Sequence, residues 1–139
     1  MADITVSAAG VQATATTLTA TGTSAAAITA GQPVYMDAST SNNLRPALAG
    51  GIAAQAAVVG IALNSAPGAG QPVRYATGGL VTFIGTTFVV GGSYNLSANS
   101  GNIAPVADTT TGNYVSHLGE APTATTLQIA LNVTGITHA

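Results

Sequence analysis

The sequence predicts an all-β fold: a small β-barrel or sandwich built from two similar strand-loop-strand halves, with an extended N-terminal arm. Three observations support this prediction. Short stretches alternate apolar and polar residues, turns rich in Gly, Pro and Asn separate these stretches, and one strand-and-turn pattern returns after about 60 residues. Strands of this kind, spaced by short turns, are typical of barrels and sandwiches.

Residues 1–29 form the predicted arm. The segment is rich in Ala, Thr and Ser, and its few larger apolar residues are Ile4, Val6, Val11, Leu18 and Ile28. Because Thr favours extended structure and Ala buries little surface, we expect short strands at 3–7 and 11–19 but no independent core. A disordered tail is the alternative that this composition leaves open. We expect the arm to dock on a partner, and the body at 30–139 to fold without it.

The body shows the two-residue period of half-buried strands. Its clearest stretch is "TLQIALNV" at 126–133, where the residues predicted to share one face are Leu127, Ile129, Leu131 and Val133. The stretch "AGGIAAQAAVV" at 49–59 is the one candidate for a helical turn, although its two glycines weaken that prediction. The body is therefore expected to consist of strands and turns almost throughout.

The body also contains an internal pseudo-repeat. The stretch "GQPVYMDAS" from Gly31 aligns with "GGSYNLSAN" from Gly91, and the alignment continues through "NLRPA" with "NIAPV" and "VVGIA" with "HLGEA". We therefore predict two copies of one unit, at 31–79 and 91–135. In each copy a glycine precedes the strand where the chain must turn sharply, and Pro33 and Pro72 stand at strand entry, where a missing N–H costs least.

Charge is scarce in this chain. Only 4% of the residues are charged, the formal net charge is −2, and the only cations are Arg45 and Arg74. This charge pattern gives no electrostatic surface for nucleic acid or for an anionic membrane. No apolar stretch is long enough for a spanning helix, and no secretory signal is recognisable at the start of the sequence. The absence of cysteine excludes disulfides and thiolate metal sites.

Candidate catalytic and metal-binding residues are few. Asp108, Ser116 and His117 are close in sequence, but neighbouring residues on a strand point to opposite faces, which separates a serine from its base. His117 and Glu120 are three residues apart, a spacing that suits metal binding on a helix rather than on a strand. We therefore expect no enzymatic activity, no metal and no cofactor.

Four stretches of the body resemble a known family. The stretches "AGQPVYMD", "VVGIALNSAPGAGQPVRYATGGLV", "GGSYNLSANSGNIAPV" and "YVSHLGEAPTATTLQIAL" are similar to the capsid decoration, or cement, proteins of tailed bacteriophages. The resemblance covers roughly residues 28–133. It implies a structural protein that binds the outside of an assembled head and bridges neighbouring subunits. It also implies the major capsid protein as partner, a location on the outer surface of the virion after synthesis in the host cytoplasm, and a homo-oligomer, with a trimer as the expected state.

Seven residues are the candidate contacts with a partner. On the arm these are Ile4, Val6, Val11 and Leu18, and on the body they are Tyr35, Arg45 and Arg74. Tyr and Arg are enriched at protein interfaces, although Tyr35 also fits a role in core packing and either Arg a solvated surface position. The alternative function is a small β-rich carbohydrate-binding or host-attachment module. The absence of Trp argues against this alternative, while Tyr, Asn and Gln leave it open.

The composition generates a prediction about oligomeric state. With 4% aromatic residues the core is thin, and oligomerisation is a common way to stabilise such a domain. A standard interface buries roughly 800 Å² per partner, and a surface with so little charge can supply that area without burying unpaired ions. Light scattering at micromolar concentration should therefore show a stable homo-oligomer, expected to be a trimer, and a monomer would contradict the prediction.

Overall fold

The computed structural model describes residues 3–139, and within this range the protein is all-β, as predicted. Ten strands form one antiparallel sheet that curls into a half-barrel. The strands are β1 (Val11–Ala13), β2 (Leu18–Thr23), β3 (Pro33–Asp37), β4 (Asn43–Pro46), β5 (Val58–Ala62), β6 (Pro72–Phe83), β7 (Ser93–Leu96), β8 (Ile103–Pro105), β9 (Tyr114–Thr123) and β10 (Thr126–Thr137). Four short 3-10 turns complete the described elements, at Ala8–Gly10, Ala38–Thr40, Ala53–Ala56 and Val106–Asp108.

Strand β6 lies at the centre of the sheet. The order is β4-β3-β5-β6-β10-β9-β7-β8, and β1 and β2 also pair with β6. The first part of β6 pairs with β2 and β5, and its last part with β1 and β10. Gly79 stands where the partners change, with a φ of +80°, and a Cβ there would collide with the Thr16 carbonyl oxygen. Only glycine fits both requirements.

The two halves of the sheet use the same pairing scheme. Strand β3 pairs with β4 and β5, and β7 pairs in the same way with β8 and β9. The ladder shifts register between Val34 and Tyr35 in the first half and between Tyr94 and Asn95 in the second. A bulge at the corresponding place in both halves is the backbone counterpart of the sequence repeat.

The glycines that begin the repeated pattern make the same turn. Gly31 and Gly91 have φ values of +92° and +78°, which L side chains rarely adopt. The Gly31 N–H donates to the Ala62 carbonyl at 2.8 Å, and the Gly91 N–H donates to the Ala121 carbonyl at 2.7 Å. The recurrence of the sequence pattern therefore reflects a recurring hydrogen-bonded turn at strand entry.

Two buried clusters form the interior. The larger cluster contains Phe83, Tyr94, Ile103, Leu118 and other residues from both halves. The smaller cluster lies in the first half and includes Val34, Leu44 and Val73. Strand β3 separates the two, because Val34 packs into the smaller cluster and Tyr35 into the larger. Because β3 is buried on both faces, Val34 and Tyr35 are both largely apolar instead of alternating with polar residues.

The N-terminal arm is extended, and the structure corrects its predicted role and strand positions. Strands β1 and β2 pair with β6 of the same chain, and the Val11 side chain lies in the larger cluster. Backbone hydrogen bonds to β6 do not depend on large apolar side chains, so a Thr-rich segment can belong to the fold. Residues 2–20 therefore include β1 and part of β2, which belong to the sheet of the body rather than to a separate arm, and folding of the body without them stays a prediction.

The predicted strand at 11–19 is interrupted by a turn. The Thr14 hydroxyl donates to the Leu80 carbonyl at 3.0 Å, and the Thr17 hydroxyl donates to the same oxygen. Residues 3–7 contain no strand; instead, the Ile4 N–H donates to the Ile103 carbonyl at 2.8 Å. Threonine hydroxyls that bind backbone favour turns over continued strands, which accounts for the break. Met1 and Ala2, which open the predicted arm, lie outside the described residues.

The N-terminal segment also covers the two outermost strands at matching positions. Ile4 bonds to Ile103 of β8, and the Ala25 N–H donates to the Leu44 carbonyl of β4, both at 2.8 Å. Leu44 and Ile103 are themselves equivalent, since they pair with the last apolar residues of β3 and β7. The same segment thus protects both sheet edges, which would otherwise present unpaired backbone groups.

Two further predictions about the body can be compared with the structure. The stretch at 49–59 does contain a helical turn, the 3-10 turn Ala53–Ala56. In β10, Leu127 and Ile129 are buried, Leu131 is half-buried, and Val133 is 40% exposed. The alternating apolar residues therefore continue along β10, but only those in the first half of the strand pack against the core.

Two equivalent glycines at the bulges generate a stability prediction. A Cβ on Gly60 would collide with the Ala76 carbonyl oxygen, and one on Gly119 with the Gln128 carbonyl oxygen. Because backbone cannot move aside, Gly60→Ala and Gly119→Ala should each lower the free energy of unfolding by about 2 kcal/mol or more. Chemical denaturation measures the change. Gly68→Ala is the control, since nothing lies within 4 Å of that position, and an equal loss in all three variants would contradict the explanation.

Candidate partner-binding surface

The loop between β6 and β7 carries the most exposed apolar side chains next to each other in the sequence. Val89 and Val90 are 71% and 66% exposed, and Ile84 of the same loop is 53% exposed. The loop at 84–92 reads "IGTTFVVGG" and contains no charged residue. Exposed aliphatic groups gathered in one loop are a common feature of surfaces that bind another protein. We call residues 84–92 the valine loop.

A buried aromatic cluster fixes the conformation of the valine loop. The Phe88 ring packs edge-on against Phe83, with centroids 5.3 Å apart, and against Tyr94 at 5.0 Å. The Tyr94 hydroxyl accepts a hydrogen bond from the Val89 N–H at 2.8 Å. With Phe88 buried and Val89 held by this bond, the neighbouring valines are directed to the surface in a fixed conformation. Such preorganisation lowers the entropy cost of binding.

The turn between β9 and β10 lies beside the valine loop. The Phe88 N–H donates to the Ala124 carbonyl at 2.8 Å, and the Phe83 N–H donates to the Thr125 carbonyl at 2.6 Å. The turn residues Ala124 and Thr125 are exposed and uncharged, as is Pro122 near the end of β9. Together the hydrogen-bonded loop and turn present aliphatic and hydroxyl groups but no ions, so this surface loses less on desolvation than a charged one.

The seven predicted contact residues do not form one surface. Leu18 is 65% exposed on β2 and Arg74 is exposed on β6, whereas Ile4 and Val6 are half-buried against the larger cluster. Val11 and Tyr35 require correction as partner contacts, because they are only 8% and 7% exposed inside their own chain. The sequence offers Val11 as a contact because it lies on the arm, and for Tyr35 it leaves core packing open; the paired N-terminal strands and the doubly buried β3 enclose the two side chains.

Arg45 lines a groove at the β3–β4 hairpin. The groove encloses about 570 Å³ and is lined by Ala26, Ala27, Tyr35, Asp37, Arg45, Pro46, Leu48, Gln55 and Ser100. Within it the Arg45 Nε donates to the Asp37 carboxylate at 2.6 Å. The Ser39 hydroxyl and the Arg45 guanidinium, both hydrogen-bonded to Asp37, hold the pKa of that carboxyl below its usual range. We call this the Arg45 groove.

Asp3 fastens the start of the described chain to the loop between β7 and β8. Its carboxylate accepts hydrogen bonds from the Ser97 hydroxyl at 2.6 Å and from the amides of Asn99 and Asn102, each at 2.8 Å. Partial burial raises the pKa of this carboxyl, but the bonds from Asn99, Ser97 and Asn102 outweigh it, so the pKa of Asp3 lies below its usual value.

The residues examined for catalysis and metal binding are engaged elsewhere. Ser116 is buried and its hydroxyl donates to the Ala56 carbonyl at 2.5 Å, while the His117 Nδ1 lies 3.1 Å from the Asn95 amide oxygen. His117 and Glu120 line a separate concavity of about 430 Å³ on β9 and β10. Among residues 3–139 no group of three or more potential ligands could hold a metal ion.

No protein-family model matches the chain, and no curated protein matches it either. Within residues 3–139, no helix has the length and apolar character needed to cross a membrane.

Sequence reasoning missed the valine loop as a binding surface. The valines of "TTFVVGG" suit a buried strand as well as an exposed loop, so composition could not identify them. The signal that could have done so is Gly91, which the repeat aligns with the turn at Gly31 and which therefore places Val89 and Val90 before the strand rather than in it.

The Asp3 contacts generate a prediction about pH. Because the folded-state pKa lies below the usual value near 3.8, ionised Asp3 stabilises the fold above that pH, and its contribution is lost as the pH falls through the folded pKa. Asp3→Asn should lower the free energy of unfolding by about 1 kcal/mol at neutral pH and make the loss on acidification shallower. Urea denaturation between neutral and acidic pH measures both effects.

The control for Asp3 is Glu120→Gln, an exposed carboxylate with no hydrogen bond among the described residues. This variant should change the free energy of unfolding by less than about 0.5 kcal/mol. An unchanged acid slope in Asp3→Asn would show that the amide contacts do not stabilise the fold.

Proposed function

We propose that this protein is a structural protein, a capsid decoration or cement protein that binds the outside of an assembled bacteriophage head. It stabilises the head by bridging neighbouring subunits of the major capsid protein, and it acts as a homo-oligomer, with a trimer as the expected state. It is made in the host cytoplasm and resides on the outer surface of the virion. The resemblance of the four stretches in the body to this family suggests the role.

The valine loop is the single observation that supports the proposal most directly. Val89 and Val90 are exposed, and the aromatic cluster at Phe88 fixes their conformation. A rigid aliphatic surface without ions fits docking onto a protein, since burial of apolar area drives association and no charges are stripped of water. It offers no group that could act on a substrate.

Stabilisation of the head follows from mass action. A protein that binds only the assembled arrangement of subunits favours that arrangement by the free energy of binding, whatever the chemistry of the contact. A head offers many equivalent positions, so modest affinity at each position is sufficient. The N-terminal segment is hydrogen-bonded to an outer strand in each half of the sheet, which joins both halves of the all-β fold within one chain.

The proposal is tested by sedimentation with heads assembled from the capsid protein encoded in the same genome. The double variant Val89→Ser, Val90→Ser should bind heads roughly thirtyfold more weakly, because each truncated and polar side chain forfeits about 1 kcal/mol of apolar burial. Wild-type binding should change by less than about threefold between low and high salt, since the loop carries no charge.

Ile136→Ser is the matched control, because Ile136 is equally exposed but lies on β10 away from the valine loop. It should leave head binding unchanged. Absence of wild-type binding to the heads would contradict the proposed function, and equal binding of the double variant would contradict the valine loop as its contact surface.

A further inference from the structure

The Arg45 groove holds more hydrogen-bond donors than acceptors. The Nε–H of Arg45 donates to the Asp37 carboxylate. The two Nη amino groups of Arg45 have no partner among the described residues. The Gln55 oxygen accepts from the Ile52 N–H at 3.1 Å, which leaves the Gln55 amino group as another donor. The hydroxyl of Ser100 has no partner among residues 3–139 either. An arginine with its Nη edge free presents two parallel N–H groups.

The carboxylate acceptors of the groove are already occupied. Asp37 Oδ1 accepts from the Ser39 N–H at 3.0 Å and from the Ser39 hydroxyl at 2.6 Å, and Oδ2 accepts from Arg45. Asp37 therefore acts as a positioning residue that fixes the guanidinium on the β3–β4 hairpin. A ligand that pairs with the free donors of the groove must supply hydrogen-bond acceptors. The two N–H groups on the free Nη edge of Arg45 match the two oxygens of a carboxylate.

The remaining walls of the groove are mostly aliphatic, with the Tyr35 side chain among them. Ala26, Ala27, Pro46 and Leu48 line it beside the polar groups. A volume of about 570 Å³ falls within the range of ordinary ligand sites and has room for a polypeptide segment. Aliphatic walls next to a guanidinium suit a carboxylate carried on methylene groups, as in an acidic side chain.

We propose that the Arg45 groove binds the carboxylate of an Asp or Glu side chain presented by a different protein. This chain does not supply that carboxylate itself. Asp3 and Asp37 are hydrogen-bonded, Asp108 has a partner, and Glu120 lines the separate concavity on β9 and β10. The inference does not depend on the proposed capsid partner, because free peptides test it.

Nuclear magnetic resonance gives a direct test, since the chain has only two arginines and hence two Nε–Hε signals. Titration with acetyl-Gly-Glu-Gly-amide should shift the Arg45 signal saturably, with half-saturation on the order of 10 mM for a small, partly exposed contact. The Arg74 signal should not move. The matching Gln peptide should bind at least tenfold more weakly, and the neutral sugar glucose should cause no shift.

Two variants distinguish the effect of the paired N–H donors of Arg45 from the effect of its positive charge alone. Arg45→Lys keeps the charge but loses the paired N–H groups, so the Glu peptide should bind at least fivefold more weakly, as followed by the backbone signal of Ser100. Arg74→Lys should bind like the wild type. The proposal is overturned if the Glu and Gln peptides bind equally, if glucose or inorganic phosphate binds more tightly than the Glu peptide, or if Glu120→Gln alone alters the Arg45 signal.

Discussion

Strand β6 must hold four partners on its two edges, and the rest of the sheet depends on how it does so. Its first part pairs with β2 and β5, and its last part with β1 and β10. The exchange of partners occurs at Gly79, where a positive φ and the close Thr16 carbonyl exclude any side chain. Because both halves of the sheet attach to this one strand, their relative position is set by its twist rather than by a flexible linker.

Much of the fold could be predicted from the sequence because turn chemistry is local. Gly31 and Gly91 need a positive φ, and the alternation around them needs only a two-residue period, so the strands that follow both glycines were predictable. The N-terminal strands were not, because their pairing with β6 is made by backbone groups that every sequence possesses. The burial of Val11 and Tyr35 also depends on which strands cover them, which no local pattern records.

The two candidate binding surfaces also differ in how far the sequence predicts them. The sequence singles out Arg45 because it is one of two cations, but its groove depends on Gln55 of the 3-10 turn Ala53–Ala56 and on Ser100 of the loop between β7 and β8. The valine loop was missed because an exposed valine and a buried one look alike in a sequence; only the packing of Phe88 against Phe83 and Tyr94 decides which way its neighbours face. Residue type identifies a candidate group, and tertiary contacts decide whether that group is accessible.

The pairing of the N-terminal strands with β6 also has a consequence for the order of folding. Val11 pairs with Phe83, and Leu18 pairs with Gly78, so the first strands wait for partners that are synthesised much later. Contacts between residues so far apart in sequence slow folding. Closing the long loop between them costs chain entropy, and this cost is offset only once the contacts have formed. During synthesis the Thr-rich strands therefore leave the ribosome unpaired, and their low apolar content leaves little surface that association with one another could bury before β6 arrives.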